Sequence, residues 1–117
     1  MTIREIGELL DAEILCGENA DTEACSACGS DMMSDVLAFV KNRAVLLTGL
    51  VNAQVIHTAE MMDMVGIVFV RSKRPGDDMI RLARESGIAV LTSPKRMYEA
   101  CGILYSHGLK GDGEIDE

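Results

Sequence analysis

Three short apolar runs recur along the chain, each followed by polar residues and then by a segment with helical spacing. The runs span residues 44–47 (AVLL), 67–70 (IVFV) and 88–91 (IAVL). Each run is apolar at every position instead of at alternate ones, which is typical of strands that are buried on both faces. Strands of this kind need helices on both sides, so the pattern predicts repeated βα units in a mostly parallel sheet.

The segments after the three runs predict helices, because their apolar residues recur every three or four positions. The inward-facing residues are expected to be Val51, Val55, Ile56, Ala59 and Met62, then Met79, Ile80 and Ala83, then Met97, Cys101 and Leu104. Gly87 stands where a left-handed residue would end the second of these helices. Ser93 and Pro94 predict an N-cap followed by proline at the first position of the last helix.

The N-terminal third of the chain predicts a helix, a short strand and one more βα unit. Residues 2–10 begin with a capping-box pair, Thr2 and Glu5, and carry apolar side chains on one face. Residues 12–16 predict a strand and residues 22–28 an extended segment.

A break at Gly29-Ser30 then precedes a helix that would face inward with Met33, Val36, Leu37 and Val40. The predicted fold class is therefore α/β, with three α/β/α layers around a mostly parallel open sheet built from repeated βα units.

Length and composition support one compact unit with an acidic end. The chain has 117 residues, and we expect residues 1–107 to form the domain and residues 108–117 to be a solvated, disordered acidic tail. Aromatic residues are only 3% of the chain, so the core must be aliphatic, and there is little with which to stack bases. The net charge of −8 repels a phosphate backbone, so we expect no nucleic acid partner.

The sequence lacks an apolar stretch of the roughly 18 residues that a membrane span needs. Its N-terminus carries acidic residues where a signal peptide would be basic and then apolar. We therefore expect a cytoplasmic protein without a membrane partner, whose four cysteines are reduced thiols.

Cys25 and Cys28 form a CxxC pair that could indicate a metal or redox site. A structural zinc site needs four ligands, but Cys16 and Cys101 are isolated and the two histidines lie far apart. A redox pair would lie at the start of a helix, whereas this pair ends a predicted strand and should alternate between its faces. We interpret both cysteines as small buried strand residues and expect no metal, with a thiol metal or redox protein as a remote alternative.

The turns that follow the predicted strands contain the candidate ligand-binding residues. Backbone N–H groups at Gly29-Ser30-Asp31 and Thr48-Gly49 could hold an anion, although capping and tight turning explain the same residues. Five of the eleven cations follow the last two strands, in VRSKRPGDD and TSPKRM, where open α/β sheets bind ligands. The alternative is that these loops are solvated, with Asp77 and Asp78 neutralising them. The candidates are Gly29, Ser30, Thr48, Gly49, Asn52, Arg71, Ser72, Lys73, Thr92, Ser93 and Lys95.

The residues also bear on protein interaction and on catalysis. Met61, Met62 and Met64 could form an adaptable surface for a protein partner. Catalysis finds no support, because the sequence shows neither a carboxylate pair beside an obvious pocket nor a nucleophile elbow. We therefore expect no catalytic residues and no cofactor.

The order of elements resembles the DRTGG domain across residues 1 to about 107. The resemblance rests on IREIGELLDAEILCG, GSDMMSDVLAFV, AVLLTGLVNAQVIHTAE, IVFV and LARESGIAVLTSP. It implies a three-layer domain similar to the N-terminal domain of HPr kinase, usually homodimeric. Such domains serve as accessory modules in phosphotransacetylases and beside CBS domains, where nucleotide sensing is inferred.

The signature turns of that family are only partly present. The GDR-type turn reads Gly49-Leu50-Val51 and the TGG-type turn reads Arg71-Ser72-Lys73, while the threonine-proline turn survives as Thr92-Ser93-Pro94. Carry-over from the family is therefore limited to Gly49, Ser93 and Pro94.

Together these observations predict a homodimeric regulatory or ligand-sensing module without enzymatic activity. Its ligand would be an anionic metabolite or nucleotide at the strand-to-helix loops. The alternative is a protein-interaction subunit that docks on a larger enzyme or signalling protein.

Overall fold

The computed structural model describes residues 1–39 and 43–111. Within these ranges the strands are β1 (Glu13–Cys16), β2 (Ser26–Gly29), β3 (Ala44–Thr48), β4 (Gly66–Phe69) and β5 (Ala89–Thr92). They form one sheet in the order β1-β5-β4-β3-β2. The strands from β2 to β5 are parallel, and β1 pairs antiparallel with β5. The predicted α/β class with a mostly parallel sheet is confirmed.

Helices cover both faces of this sheet, as the fully apolar strands require. They are α1 (Ile3–Leu9), α2 (Met33–Phe39), α3 (Ala53–Met61), α4 (Asp77–Glu85) and α5 (Met97–Ser106). One hydrophobic cluster joins α1 and α5 to the sheet. The other joins α2, α3 and α4 to the opposite face.

The direction in which the chain leaves each strand changes between β4 and β5. The segments after β2, β3 and β4 pass to one face, whereas the segment after β5 passes to the other. Neighbouring loops therefore diverge at the carboxyl ends of β4 and β5. Ligands of open α/β sheets bind at such a divergence.

The residues that begin and end the helices are only partly as predicted. The capping box of Thr2 and Glu5 is present, and Gly87 has a positive φ of 73° after α4. The predicted N-cap at Ser93 is wrong, because α5 begins at Met97. The Ser93 hydroxyl is instead buried and donates to the carbonyl of Leu10 at 2.7 Å, which ties the end of β5 to the end of α1.

The prediction that Leu37 and Val51 face inward is wrong. Leu37 is 44% exposed because α2 is short and contacts the sheet through Met33 and Val36. Val51 is 36% exposed because it precedes α3. Val40 lies outside the described residues.

The packed part of the chain extends beyond the predicted boundary at residue 107. Leu109 is buried in the cluster beneath α1 and α5, and the carbonyl of Lys110 accepts a hydrogen bond from Ala27 N–H at 3.0 Å. Leu109 and the carbonyl of Lys110 therefore contact the domain, while Gly108, Lys110 and Gly111 are exposed. The remainder of the predicted tail, residues 112–117, lies outside the described residues.

No helix in the described ranges is long and apolar enough to cross a membrane.

Candidate functional site

The candidate residues lie along one edge of the sheet, which we call the rim. It consists of the segments after the four parallel strands and the segment that leads into the first residue of β1, namely residues 29–31, 48–52, 70–74, 92–96 and 11–13. The last segment belongs to the rim because β1 runs antiparallel to β5. Adjacent strands lie about 4.8 Å apart, so the four parallel strands alone span roughly 14 Å of rim.

A carboxylate occupies the β2/β3 half of the rim. Asp31 Oδ1 accepts hydrogen bonds from the Thr48 hydroxyl and from Gly49 N–H, both at 2.8 Å. The Gly49 N–H, the Thr48 hydroxyl and, more weakly, the charge of Arg71 hold the pKa of Asp31 below its ordinary value. Asp31 thus remains an anion at neutral pH. It was not among the predicted site residues.

The guanidinium of Arg71 lies directly against the backbone of Gly49. A Cβ atom built on Gly49 would collide with Arg71 Nη2, so the absence of a side chain at residue 49 is what admits the arginine. In the described ranges no carboxylate oxygen lies within 4.0 Å of Arg71 as an ion-pair partner. Its N–H donors therefore have no carboxylate partner at that distance.

An unusual backbone turn sends Arg71 toward β3. Arg71 and Ser72 both have a φ of 57°, a conformation that non-glycine residues adopt infrequently. Two hydrogen bonds of 2.8 Å hold the turn, from Arg71 N–H to the carbonyl of Lys95 and from Ser72 N–H to the carbonyl of Ser93. The loop after β4 is thereby fixed to the loop after β5.

Two of the predicted cations are already paired with acids. Arg74 contacts Glu13 at 2.9 Å, and Lys95 contacts Asp11 at 3.4 Å. Sequence reasoning missed both acids, because only the antiparallel pairing of β1 brings them to the rim. They face a shallow cavity of about 210 Å³ between β1 and the loops after β4 and β5.

One of the two acids that were predicted to neutralise the basic loop before α4 forms its ion pair elsewhere. Asp78 forms an ion pair with Arg81 at 3.4 Å, within α4 itself. It therefore does not pair with the cations of residues 71–74.

Several predicted ligand-binding residues use their polar groups internally. The Ser30 hydroxyl accepts from Met32 N–H at 2.9 Å, and the Asn52 side chain caps α3 by accepting from Val55 N–H at 3.3 Å. Thr92 donates to the carbonyl of Lys73 at 2.6 Å. Gly29 packs toward α5, since a Cβ built there would lie 2.6 Å from Cys101 Sγ.

The eleven predicted residues therefore lie in different environments. Arg71 lies against Gly49 and has no carboxylate partner within ion-pair distance in the described ranges. Ser72 lines the cavity beside β1, Lys73 is exposed, and Lys95 is paired with Asp11. The side chains of Ser30, Thr48, Asn52, Thr92 and Ser93 form hydrogen bonds within the chain. Ligand binding by any of them stays a prediction.

The prediction that Cys25 and Cys28 are buried strand residues is wrong in part, because both are only half-buried and Cys25 precedes β2. All four cysteines are free, and burial raises the pKa values of Cys16, Cys28 and Cys101. A raised pKa disfavours the thiolate that redox and metal chemistry need. In the part of the chain that the structure describes, no three side chains of His, Cys, Asp or Glu form a group that could hold a metal ion.

The exposed apolar surface is not where the methionines predicted it. Met61 is 70% exposed, but Met62 is half-buried and Met64 is buried. Helix α5 instead exposes Tyr98 at 91% and Tyr105 at 58%. The signal that could have shown this is the seven-residue spacing of the two tyrosines, which places them on one face of a helix.

Comparisons with known proteins show the fold and leave the family open. No family model matches this chain, and no curated protein matches it. A solved structure matches with a TM-score of 0.73 at 17% sequence identity. It is described as the CBS and DRTGG domains of the regulatory region of Clostridium perfringens pyrophosphatase complexed with activator, diadenosine tetraphosphate.

That match covers 88% of this chain and 45% of the chain of the solved structure. The present chain thus spans less than half of the length of its structural neighbour. The likeness shows that this protein has a fold found in a regulatory region that contains CBS and DRTGG domains.

Proposed function

We propose that this chain is a DRTGG-like regulatory module, without enzymatic activity of its own, that senses an anionic metabolite or nucleotide at the rim. The ligand binds in the middle of the rim, against Gly49, Arg71 and Lys73. Its binding regulates an enzyme or signalling protein with which the module works. In this proposal the DRTGG-like domain begins at residue 1 and ends after Leu109.

The observation that carries the proposal is that Arg71 has no carboxylate partner within ion-pair distance in the described ranges. A guanidinium offers five N–H donors in a planar fork that fits phosphate and carboxylate groups. Here the side chain is held against the Gly49 backbone, and no ion-pair partner within the described residues uses that fork. The chain has a net charge of −8, so an unpaired arginine in the middle of a functional edge favours an anionic ligand.

The structural neighbour supports the same class of ligand. The regulatory region to which this fold is similar was solved with a nucleotide activator, diadenosine tetraphosphate. A nucleotide or another phosphorylated metabolite is therefore the first class of ligand to test for this chain.

The test is a thermal unfolding screen of the purified chain against nucleotides and phosphorylated metabolites. A ligand that binds only the folded state raises the free energy of unfolding by about 2.7 kcal/mol at a hundredfold excess over its Kd, and the melting temperature rises with it. The variant Arg71→Ala should lose the shift. Arg81→Ala, which removes an equal charge from the exposed face of α4, should retain it.

Failure of every anion to stabilise the wild-type chain would contradict the proposal. Equal losses in Arg71→Ala and Arg81→Ala would contradict the assignment to the middle of the rim.

A second candidate function is protein interaction through α5. Tyr98 and Tyr105 expose two aromatic rings on one face of this helix, and Gly102 between them leaves open space. Exposed tyrosines are typical of interface centres. The occupant we propose is a second copy of the chain, in agreement with the homodimer that the DRTGG resemblance implies.

Sedimentation equilibrium of the wild-type chain and of the double variant Tyr98→Ala/Tyr105→Ala tests this second candidate. A dimer that becomes a monomer in the variant supports it. A monomeric wild-type chain would contradict it and would favour a larger enzyme as the partner.

A further inference from the structure

We infer that Asp31 is a built-in competitor for the ligand, occupying a phosphate subsite formed by Thr48, Gly49 and Arg71 that a ligand phosphate can enter only by displacing it. This inference rests on the proposed function, because it specifies the ligand group and the regulation of the same site.

The first argument is the geometry of the Asp31 carboxylate. A single oxygen, Oδ1, accepts both the Thr48 hydroxyl and the Gly49 N–H at 2.8 Å. The two donors come from the end of β3, and the acceptor comes from the segment after β2. A hydroxyl and a backbone N–H that converge on one anionic oxygen form an oxyanion-binding arrangement, and a phosphate oxygen fits the same pair of donors.

The second argument is the position of Arg71 relative to that carboxylate. Its charge is close enough to favour the ionised form of Asp31, yet the two side chains do not form an ion pair within 4.0 Å. A carboxylate thus satisfies the Thr48 and Gly49 donors and leaves the guanidinium unpaired. A phosphate has more acceptor oxygens, so one oxygen can take Asp31's place while another binds Arg71.

The third argument is that a bound phosphate takes over both hydrogen bonds of Asp31, while the displaced carboxylate can return to water. The Asp31 side chain is exposed, so the displaced carboxylate is solvated by water. A phosphate and the carboxylate cannot share the two donors, because two anions at that separation repel each other. Occupancy of the subsite is therefore exclusive.

Displacement of Asp31 has a structural consequence. Asp31 lies two residues before the first residue of α2, and its two hydrogen bonds fasten that end of the helix to β3. A bound phosphate would release this fastening. The amide protons of residues 30–36 should then exchange with solvent faster, which turns ligand binding into a change at α2.

The experiment compares phosphate binding by the wild-type chain with binding by Asp31→Asn. Asparagine keeps the shape of the side chain but removes the competing charge. Asp35→Asn is the matched control, since it removes an equal charge from the exposed first turn of α2. Binding is measured by isothermal titration with inorganic phosphate, ATP and adenosine, and the circular dichroism of each variant is recorded.

We expect Asp31→Asn to lower the Kd for inorganic phosphate and ATP by about tenfold or more and Asp35→Asn to change it by less than about twofold. Adenosine should not bind. Adding Arg71→Ala to Asp31→Asn should abolish the gain. If phosphate binds as tightly as ATP, the ligand is recognised by its phosphate alone.

The outcomes separate this inference from the proposed function. If the wild-type chain binds anions through Arg71 but Asp31→Asn binds them no more tightly, the inference is wrong and the proposed function stands. If neither protein binds any anion, both are wrong. If Asp31→Asn does not fold, hydrogen exchange of the wild-type chain decides the question, because unchanged exchange of residues 30–36 at saturating phosphate would overturn the inference.

Discussion

The two halves of the rim are built from the same kind of βα turn but differ in how their charged side chains are paired. In the β2/β3 half, an anion from the chain itself, Asp31, takes up the available donors at the end of β3. In the β4/β5 half, several cations lie close together, and two of them pair with acids at the start of β1, Asp11 and Glu13. Arg71 lies between the halves, because its loop starts after β4 and its guanidinium lies on Gly49 after β3.

This difference shows that a cluster of like charges is a poor guide to a binding site until its partners are known. Arg74 and Lys95 appear in the sequence as equals of Arg71, but the fold gives them partners and leaves Arg71 without one within ion-pair distance.

The largest expected effect on stability separates two matched threonines, one at the end of a strand in each half. Thr48→Val removes a buried hydroxyl that donates to a carboxylate and accepts from Leu50 N–H, and we expect a loss of about 2 kcal/mol in the free energy of unfolding. Thr92→Val removes a bond to a neutral carbonyl and should cost about 1 kcal/mol.

Urea unfolding of both variants measures the difference. Equal losses, or a larger loss for Thr92→Val, would mean that the charged acceptor in the β2/β3 half does not distinguish the two halves.

The next effect concerns the contact that joins the halves. Gly49→Ala places a methyl group where the Arg71 guanidinium lies, and the end of this flexible side chain should move away. We expect anion affinity to fall about tenfold while the free energy of unfolding changes by less than about 0.5 kcal/mol.

Gly76→Ala is the matched control for that substitution, because a Cβ there meets nothing within 4 Å. Isothermal titration with phosphate should show no change for the control. A Gly49→Ala variant with wild-type affinity would show that the position of Arg71 is irrelevant to binding.

A smaller effect is expected in the dependence of stability on pH. The pKa of Asp31 is lowered in the folded state from an ordinary value of 3.8, so its contribution is complete above about pH 4 and is lost as the pH falls through the folded-state pKa. Asp31→Asn should therefore flatten the decline of unfolding free energy below about pH 4.

Glu13 provides the comparison from the other half. Hydrogen bonding to Arg74 also lowers its pKa, but this pair is exposed, so Glu13→Gln should flatten the same decline less. Urea unfolding at a series of acidic pH values measures both slopes. A steeper slope in Asp31→Asn than in the wild-type chain would contradict the sign of this prediction.

The smallest effect concerns the paired cations. Glu13→Gln leaves Arg74 without its carboxylate partner, which makes the β4/β5 half more positive. We expect the affinity for phosphate to rise by no more than about twofold, because the exposed charge is screened by salt. A rise as large as that expected for Asp31→Asn would place the ligand in the β4/β5 half instead of at Arg71.

The sequence was sufficient to predict the sheet and most of the helices. The fully apolar runs at residues 44–47, 67–70 and 88–91 lie within one residue of β3, β4 and β5. Burial on both faces requires an apolar residue at every position of the strand, so these strands could be predicted without any tertiary information.

The sequence predicted which turns line the rim, but not all of the residues that meet there. Asp11 and Glu13 reach the rim only through the antiparallel pairing of β1, which local pattern does not encode. The turn that contains Asp31 was predicted, but its contact with Thr48 and Gly49 depends on the pairing of β2 with β3, which the local sequence does not show. The reach of Arg71 depends on two successive left-handed residues, which the sequence Arg71-Ser72 does not indicate.

The order of the strands also determines how the chain assembles. Strands β2 to β5 are neighbours in the sheet in the same order as in the chain, so each new strand closes only a short loop onto the one before it. The pairing of β1 with β5 is different, since it joins segments near opposite ends of the chain. Loop-closure entropy makes that contact the slow one, and we expect Asp11 and Glu13 to meet Lys95 and Arg74 only in the last step of folding.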